Sequence, residues 1–116
     1  MAESLSEKNF YHGQPGTSDG TLNLAGNATV PANHKYTIST ILIANTSGSN
    51  ATVTLARGGT TATAANQIVP TVTIPANTVE IIRGPFVFEA GDSLHGVQGT
   101  SGAITLDING ADHQLS

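Results

Sequence analysis

The chain has 116 residues, enough for one domain with one hydrophobic core, and carries a net charge of −4 with only four basic residues. Lys8, Lys35, Arg57 and Arg83 are scattered along it, so the clustered cations that displace counterions from phosphate are missing and nucleic-acid binding is excluded as an expectation. There is no cysteine, which rules out disulfides and thiolate metal sites, and no apolar run long enough to span a bilayer as a helix.

Charged residues make up 10% of the chain, and the polar share is mostly Thr, Asn, Ser and Gly among short runs of Val and Ile. That mixture favours strands and tight turns over helices. With five aromatic residues, Phe10, Tyr11, Tyr36, Phe86 and Phe88, the core must be aliphatic. The N-terminus lacks the basic and apolar regions of a signal peptide, which leads us to expect synthesis in a cytoplasm.

Residues 1–20 are polar apart from Leu5, Phe10 and Tyr11, and 12–20 are dense in turn formers. They predict an extended arm with one short strand near 9–12, followed by a β-sandwich domain over 21–116. Residues 21–29 predict a weak strand. In 36–45 apolar residues occupy both parities, Ile38 and Leu42 on one side and Ile41 and Ile43 on the other, so this strand is expected to be covered on both faces. The run Thr46-Ser47-Gly48-Ser49-Asn50 then predicts a hairpin into 51–57, a half-buried strand with Val53 and Leu55 inward.

Residues 58–66 read as a loop. In 67–74, Ile68, Val72 and Ile74 share a face, and Pro70 marks an edge or a bulge. Val79 and Ile81 alternate with Glu80, and Arg83-Gly84-Pro85 is expected to interrupt that run before Phe86 and Phe88. A strand over 93–98 and a turn at 99–102 precede the clearest strand, with Ile104, Leu106 and Ile108 inward and Thr105, Asp107 and Asn109 outward. About eight strands and no helix predict an all-β, antiparallel, jelly-roll-like sandwich.

Val30-Pro31-Ala32-Asn33 and Ile74-Pro75-Ala76-Asn77 are near copies, and Phe88-Glu89-Ala90-Gly91 is a looser third. Proline fixes φ, and Asn or Gly tolerates a positive φ. Each copy therefore predicts a sharp corner at which the chain leaves one sheet for the other.

Catalytic chemistry is hard to assemble from these residues. No Gly-x-Ser-x-Gly elbow and no Walker lysine occur, and His12, His34, His95 and His113 lack zinc-type spacing. Glu80, Glu89, Asp92 and Asp107 could form a glycosidase pair only in a cleft with sugar platforms, and the chain has no Trp. We therefore expect no enzyme activity, no metal and no cofactor. His34 reads as a solvated corner residue, and His95 as a strand residue at a surface or subunit contact. Phe10 and Tyr11, on the arm, are the candidate anchors for a partner, since a few aromatics often dominate interface energy.

The stretch from Val30 through Ile38, the run Ile41-Leu42-Ile43-Ala44-Asn45-Thr46-Ser47-Gly48-Ser49-Asn50-Ala51-Thr52-Val53-Thr54-Leu55, and the segment from Val87 to Val97 resemble a family of small tailed-bacteriophage virion proteins. Asn33 and Asn77 stand where Gly is commoner in that pattern. The resemblance covers roughly 20–110 and is a scaffold pattern without a catalytic motif. It implies a capsid decoration, or cement, protein that assembles as a homo-oligomer, a trimer, over junctions between major capsid subunits. The alternative it implies is a tail, baseplate or fibre subunit touching host glycan, for which the loop at 58–66 is the place to look.

Overall fold

Eight strands account for most of the chain: β1 (Ser4–Gly13), β2 (Gly20–Leu22), β3 (His34–Asn45), β4 (Ala51–Arg57), β5 (Gln67–Ile74), β6 (Val79–Glu89), β7 (Leu94–Gln98) and β8 (Ile104–Gln114). The computed structural model describes residues 4–58, 63 and 65–115, and no helix occurs among them. β1 pairs β8, β2 pairs β7, β3 pairs β6 and β4 pairs β5, all antiparallel. This nested ribbon is rolled up so that β3 also pairs β8 and β4 also pairs β7. The sheet orders β1-β8-β3-β6 and β2-β7-β4-β5 follow, which is the jelly-roll arrangement expected from the strand count.

The three predicted corners are where the winding needs them. Asn33, Asn77 and Gly91 have φ of 65°, 54° and 90°. They lie on the connections β2 to β3, β5 to β6 and β6 to β7, each of which moves the chain between sheets. Two corners also dock on each other: Gly91 N donates to Val30 O at 2.9 Å and Val30 N to Asp92 O at 2.8 Å.

The core between the sheets is aliphatic as expected, with Ile38, Ile41, Ile43, Leu55, Ile74, Leu94, Ile104, Leu106 and Ile108 fully buried around Tyr36 and Phe88. Arg57 closes one part of it, its guanidinium 4.3 Å from the centre of the Phe88 ring.

Several expectations are corrected. β3 is not apolar on both faces, because its pairing shifts register between Ile38 and Thr40 against both β6 and β8. This bulge at Ser39 inverts the alternation, so Ile38, Ile41 and Ile43 all point inward and Leu42 points outward. Two glycines make room for it. A Cβ on Gly110 of β8 would stand 1.9 Å from Thr37 O, and one on Gly84 of β6 would stand 2.3 Å from Ile38 O. The interruption expected at Arg83-Gly84-Pro85 is present as an irregularity inside β6: Arg83 pairs Thr40 and Phe86 pairs Ile38, and Gly84 and Pro85 between them have no paired residue.

The turn at 46–50 does not make a hairpin, since β3 and β4 lie in different sheets. Buried Asn45 holds it: Nδ2 donates to Ser49 O at 2.8 Å and Ile74 O at 2.9 Å, while Oδ1 accepts from Ser47 N at 2.9 Å. A turn signal reports a reversal of the chain but not the sheet that receives it. β4 is also buried more fully than half, Thr54 and Ala56 included. The weak strand at 21–29 shrinks to β2 and an isolated bridge between Leu24 and Asn27.

The described part of the predicted arm does not project. Residues 4–13 form a ten-residue edge strand paired with β8 along its length. The accessible surface, 5856 Å², matches the ~5900 Å² of a folded monomer of this mass. The reason is Phe10. It sits at a register shift in β1, 3% exposed, with its ring 4.6 Å from that of Tyr36, and Ala25 N donates to its carbonyl at 2.7 Å. One buried aromatic and a full ladder of hydrogen bonds outweigh the polarity of the neighbouring residues.

Candidate functional site

The two outer faces of the sandwich differ in chemistry. Strand pairing lines up Thr21, Thr52, Thr54, Thr71 and Thr73 on the outside of the β2-β7-β4-β5 sheet, where Thr54 and Thr71 share a hydrogen bond at 2.7 Å. Among the described residues no large apolar side chain is exposed there. All four such residues lie on the outside of the β1-β8-β3-β6 sheet: Leu5 at 71% exposure, Val79 at 54%, Ile81 at 47% and Val87 at 39%.

The register arranges that face in rows. Leu5, His113, Lys35 and Glu89 form the first, and Glu7, Ala111, Thr37 and Val87 the second. Asn9, Asn109, Thr40 and Arg83 follow, then His12, Asp107, Leu42 and Ile81, and finally Thr105, Ala44 and Val79. Leu42, Ala44, Ile81 and Val79 thus make a contiguous apolar corner at the β3–β6 side. At the β1–β8 side the rows are polar apart from Leu5 and Ala111.

The polar half is held by one network. Asn9 Nδ2 donates to Asp107 Oδ1 at 2.7 Å and to Asn109 Oδ1 at 2.9 Å, Asn109 Nδ2 donates to Asp107 Oδ2 at 3.0 Å, and His12 Nδ1 lies 3.3 Å from Asp107 Oδ1. Hydrogen bonding from Asn109, then from Asn9 and His12 together with the charge of His12, holds the Asp107 carboxyl below its usual range against the opposing effect of partial burial. Beside it the Ser39 bulge leaves an open depression lined by Glu7, Lys8, Asn9, Ser39, Asn109 and Gly110. Its walls are strand backbone, small polar side chains and the charged side chains of Glu7 and Lys8.

His34 and His95 are used structurally. His34 is half-buried rather than solvated: its Nδ1 is 2.8 Å from Asp112 Oδ1, while Lys8 Nζ donates to Asp112 Oδ2 at 3.3 Å, so one carboxylate ties β1, β8 and β3 together. No group of three or more His, Asp or Glu that could hold a metal ion occurs among the described residues.

Of the sequence-nominated contact residues, Phe10 is a core residue. His95 is 0% exposed and also unavailable as a surface contact, because its Nε2 donates to Gly58 O at 2.7 Å and its Nδ1 lies 3.4 Å from Asp19 Oδ1. Tyr11 is half-buried, paired across from Ile108, and burial raises the pKa of its phenol. The loop at 58–66 lies largely outside the described residues. The outward apolar residues of β6 were missed. Their signal was present in the alternation, since β6 carries apolar residues on both parities and only one parity can face the core.

Comparison with known proteins gives no family and no curated relative. Among solved structures, the chain is similar over 97% of its length to the coat protein of Tobacco streak virus, covering 85% of that chain at 9% identity with a TM-score of 0.47. It is also similar over 97% of its length to a chain of infectious bursal disease virus, strain Gt, covering 30% of that chain at 14% identity with a TM-score of 0.36.

Proposed function

We propose that the chain is a structural subunit of a virus particle, specifically a decoration protein of a tailed-bacteriophage head. It would seat over junctions between major capsid subunits and assemble with copies of itself as a trimer. The observation that carries this reading is the segregation of every exposed large apolar side chain among the described residues to one sandwich face. A face with this asymmetry is suited to lying against another protein while the threonine-lined face meets solvent.

Two further points support it. The strand–corner–strand pattern resembles small phage virion proteins in sequence, and Asn9, Asp107 and Asn109 on the open face are hydrogen-bonded to one another. The contact residues are then Leu5, Val79, Ile81 and Val87, with Tyr11 at the β1 edge; Phe10 and His95 support the fold from within. The test is to image particles from which the gene has been deleted. Loss of density from the outer capsid surface, restored by adding the purified protein, is the expected result. An unchanged capsid surface, or an antibody against the protein that labels the tail, would overturn the assignment.

A further inference from the structure

The four sheet edges are not equally protected against pairing with another strand. β2 offers only three residues, β5 carries Pro70 and two register shifts, and β1 has a register shift at Phe10 with Glu7 and Lys8 beside it. β6 is different in its first half. From Val79 to Arg83 it pairs β3 in unbroken register, contains no proline or glycine, and has three apolar residues, Val79, Ile81 and Ile82, beside two charges of opposite sign, Glu80 and Arg83. Among the described residues no backbone group from another strand meets its outer side. An exposed strand edge of this kind is a template for one more strand.

We infer that the partner is the same segment of a second copy, joined antiparallel across a two-fold axis at Ile81. The inference rests on the proposed reading of the adjoining outer face as a contact surface and extends that surface across two copies. The usable edge ends at Arg83, because Gly84 begins an irregular stretch and Pro85 has no N–H to donate. A two-fold axis through the middle of the five regular residues places Ile81 against Ile81 of the second copy, Val79 against Arg83, and Glu80 against Ile82.

Neighbouring registers are worse. Centring on Glu80 sets the two Glu80 carboxylates side by side, and centring on Ile82 runs Glu80 and Val79 against Gly84 and Pro85, beyond the usable edge. At Ile81 both faults are avoided, and the aliphatic stem of each Arg83 covers a Val79. The two apolar corners, Leu42, Ala44, Ile81 and Val79 from each copy, become neighbours on one continuous outer face. A five-residue edge buries far less than the roughly 800 Å² per partner of a standard interface, so the pair is weak in dilute solution and is best captured chemically.

The absence of cysteine makes that capture clean. Directly opposed residues in an antiparallel pair have Cα atoms about 4.5–5.5 Å apart, within the range a disulfide spans. In the full chain, Ile81→Cys is expected to form a disulfide-linked dimer under diamide about tenfold faster than Leu5→Cys, which is more exposed but sits on the far edge. Val79→Cys and Arg83→Cys alone should link slowly, and the double variant should link rapidly, because each introduced thiol then faces the other kind.

All positions are exposed, and an unchanged thermal melt shows that each variant is folded. Equal rates for Ile81→Cys and Leu5→Cys would overturn the pairing, as would fast linkage of Val79→Cys alone. Such a failure leaves the particle-imaging result untouched, so the second-copy contact and the virion role fall separately.

Discussion

Replacing Gly110 by alanine probes the bulge that organises the large sheet. Gly110 pairs with Ile38 on one side and Lys8 on the other, and an added Cβ would lie 1.9 Å from Thr37 O and 2.9 Å from Ile38 Cα. Those are backbone atoms of the central strand, so no side-chain rotation can relieve the overlap, and β8 must move away from β3 by over an ångström. Overpacking of this kind costs about 1–3 kcal/mol, and weakening two ladder hydrogen bonds adds about 1 kcal/mol each. The lower chain entropy of unfolded alanine returns about 0.4–1 kcal/mol. The net loss is about 2–5 kcal/mol out of a total of about 5–15 kcal/mol, a fall in Tm of roughly 8–25 °C for a domain of this size. Urea unfolding followed by circular dichroism measures it. Gly48→Ala, where no atom lies within 4 Å, serves as the control and should be neutral or slightly stabilising. A Gly110→Ala protein within about 0.5 kcal/mol of the parent would mean that the strands are not nested as described.

Asp107 should contribute to stability at neutral pH and cease to do so in acid. Its folded pKa is lowered, so its stabilisation is fully present above the ordinary carboxylate value near pH 4 and is lost as pH falls through the lower folded value. The stability gap between the parent and Asp107→Asn should therefore narrow as pH is lowered below about 4 in chemical denaturation, and a gap that widens there would contradict the network. His95→Phe removes the nearer of two donors to the Gly58 carbonyl and leaves it Asn66 Nδ2 at 3.1 Å, which should cost about 0.5–1.5 kcal/mol by thermal melting; an unchanged melt would show the imidazole to be a filler. At the corner with φ of 54°, Asn77→Gly should change stability by less than about 0.5 kcal/mol while Asn77→Val costs about 1–2 kcal/mol, and equal stabilities would argue against a left-handed backbone there.

How far the fold could be read from residues depended on whether each signal was local. The three corners were legible because Pro and Asn or Gly act on their own φ, and β8 was legible because its alternation is uninterrupted from Ile104 to Ile108. The parity of β3 was not. Its inversion at Ser39 is licensed by Gly84 and Gly110, which are far along the chain and carry no mark of their purpose. The fate of residues 4–13 failed for a similar reason, since a polar strand becomes part of a sheet when a distant strand offers it a ladder. The apolar corner of the open face was half legible: Val79 and Ile81 were seen to alternate with Glu80, but only the register with β3 showed that they point outward beside Leu42 and Ala44.

Nested pairing has a kinetic consequence. The β4–β5 ribbon closes over a short stretch of chain, whereas Ser4 meets Gln114 only after almost the whole polypeptide has been gathered in. Loop-closure entropy grows along that series, and folds dominated by distant pairings form in milliseconds to seconds rather than microseconds. β1, held from one side only and by the most remote partnership in the molecule, anneals last and peels first. Its amides should be among the earliest in the large sheet to exchange with deuterium, marking this margin as the place where the native state breathes.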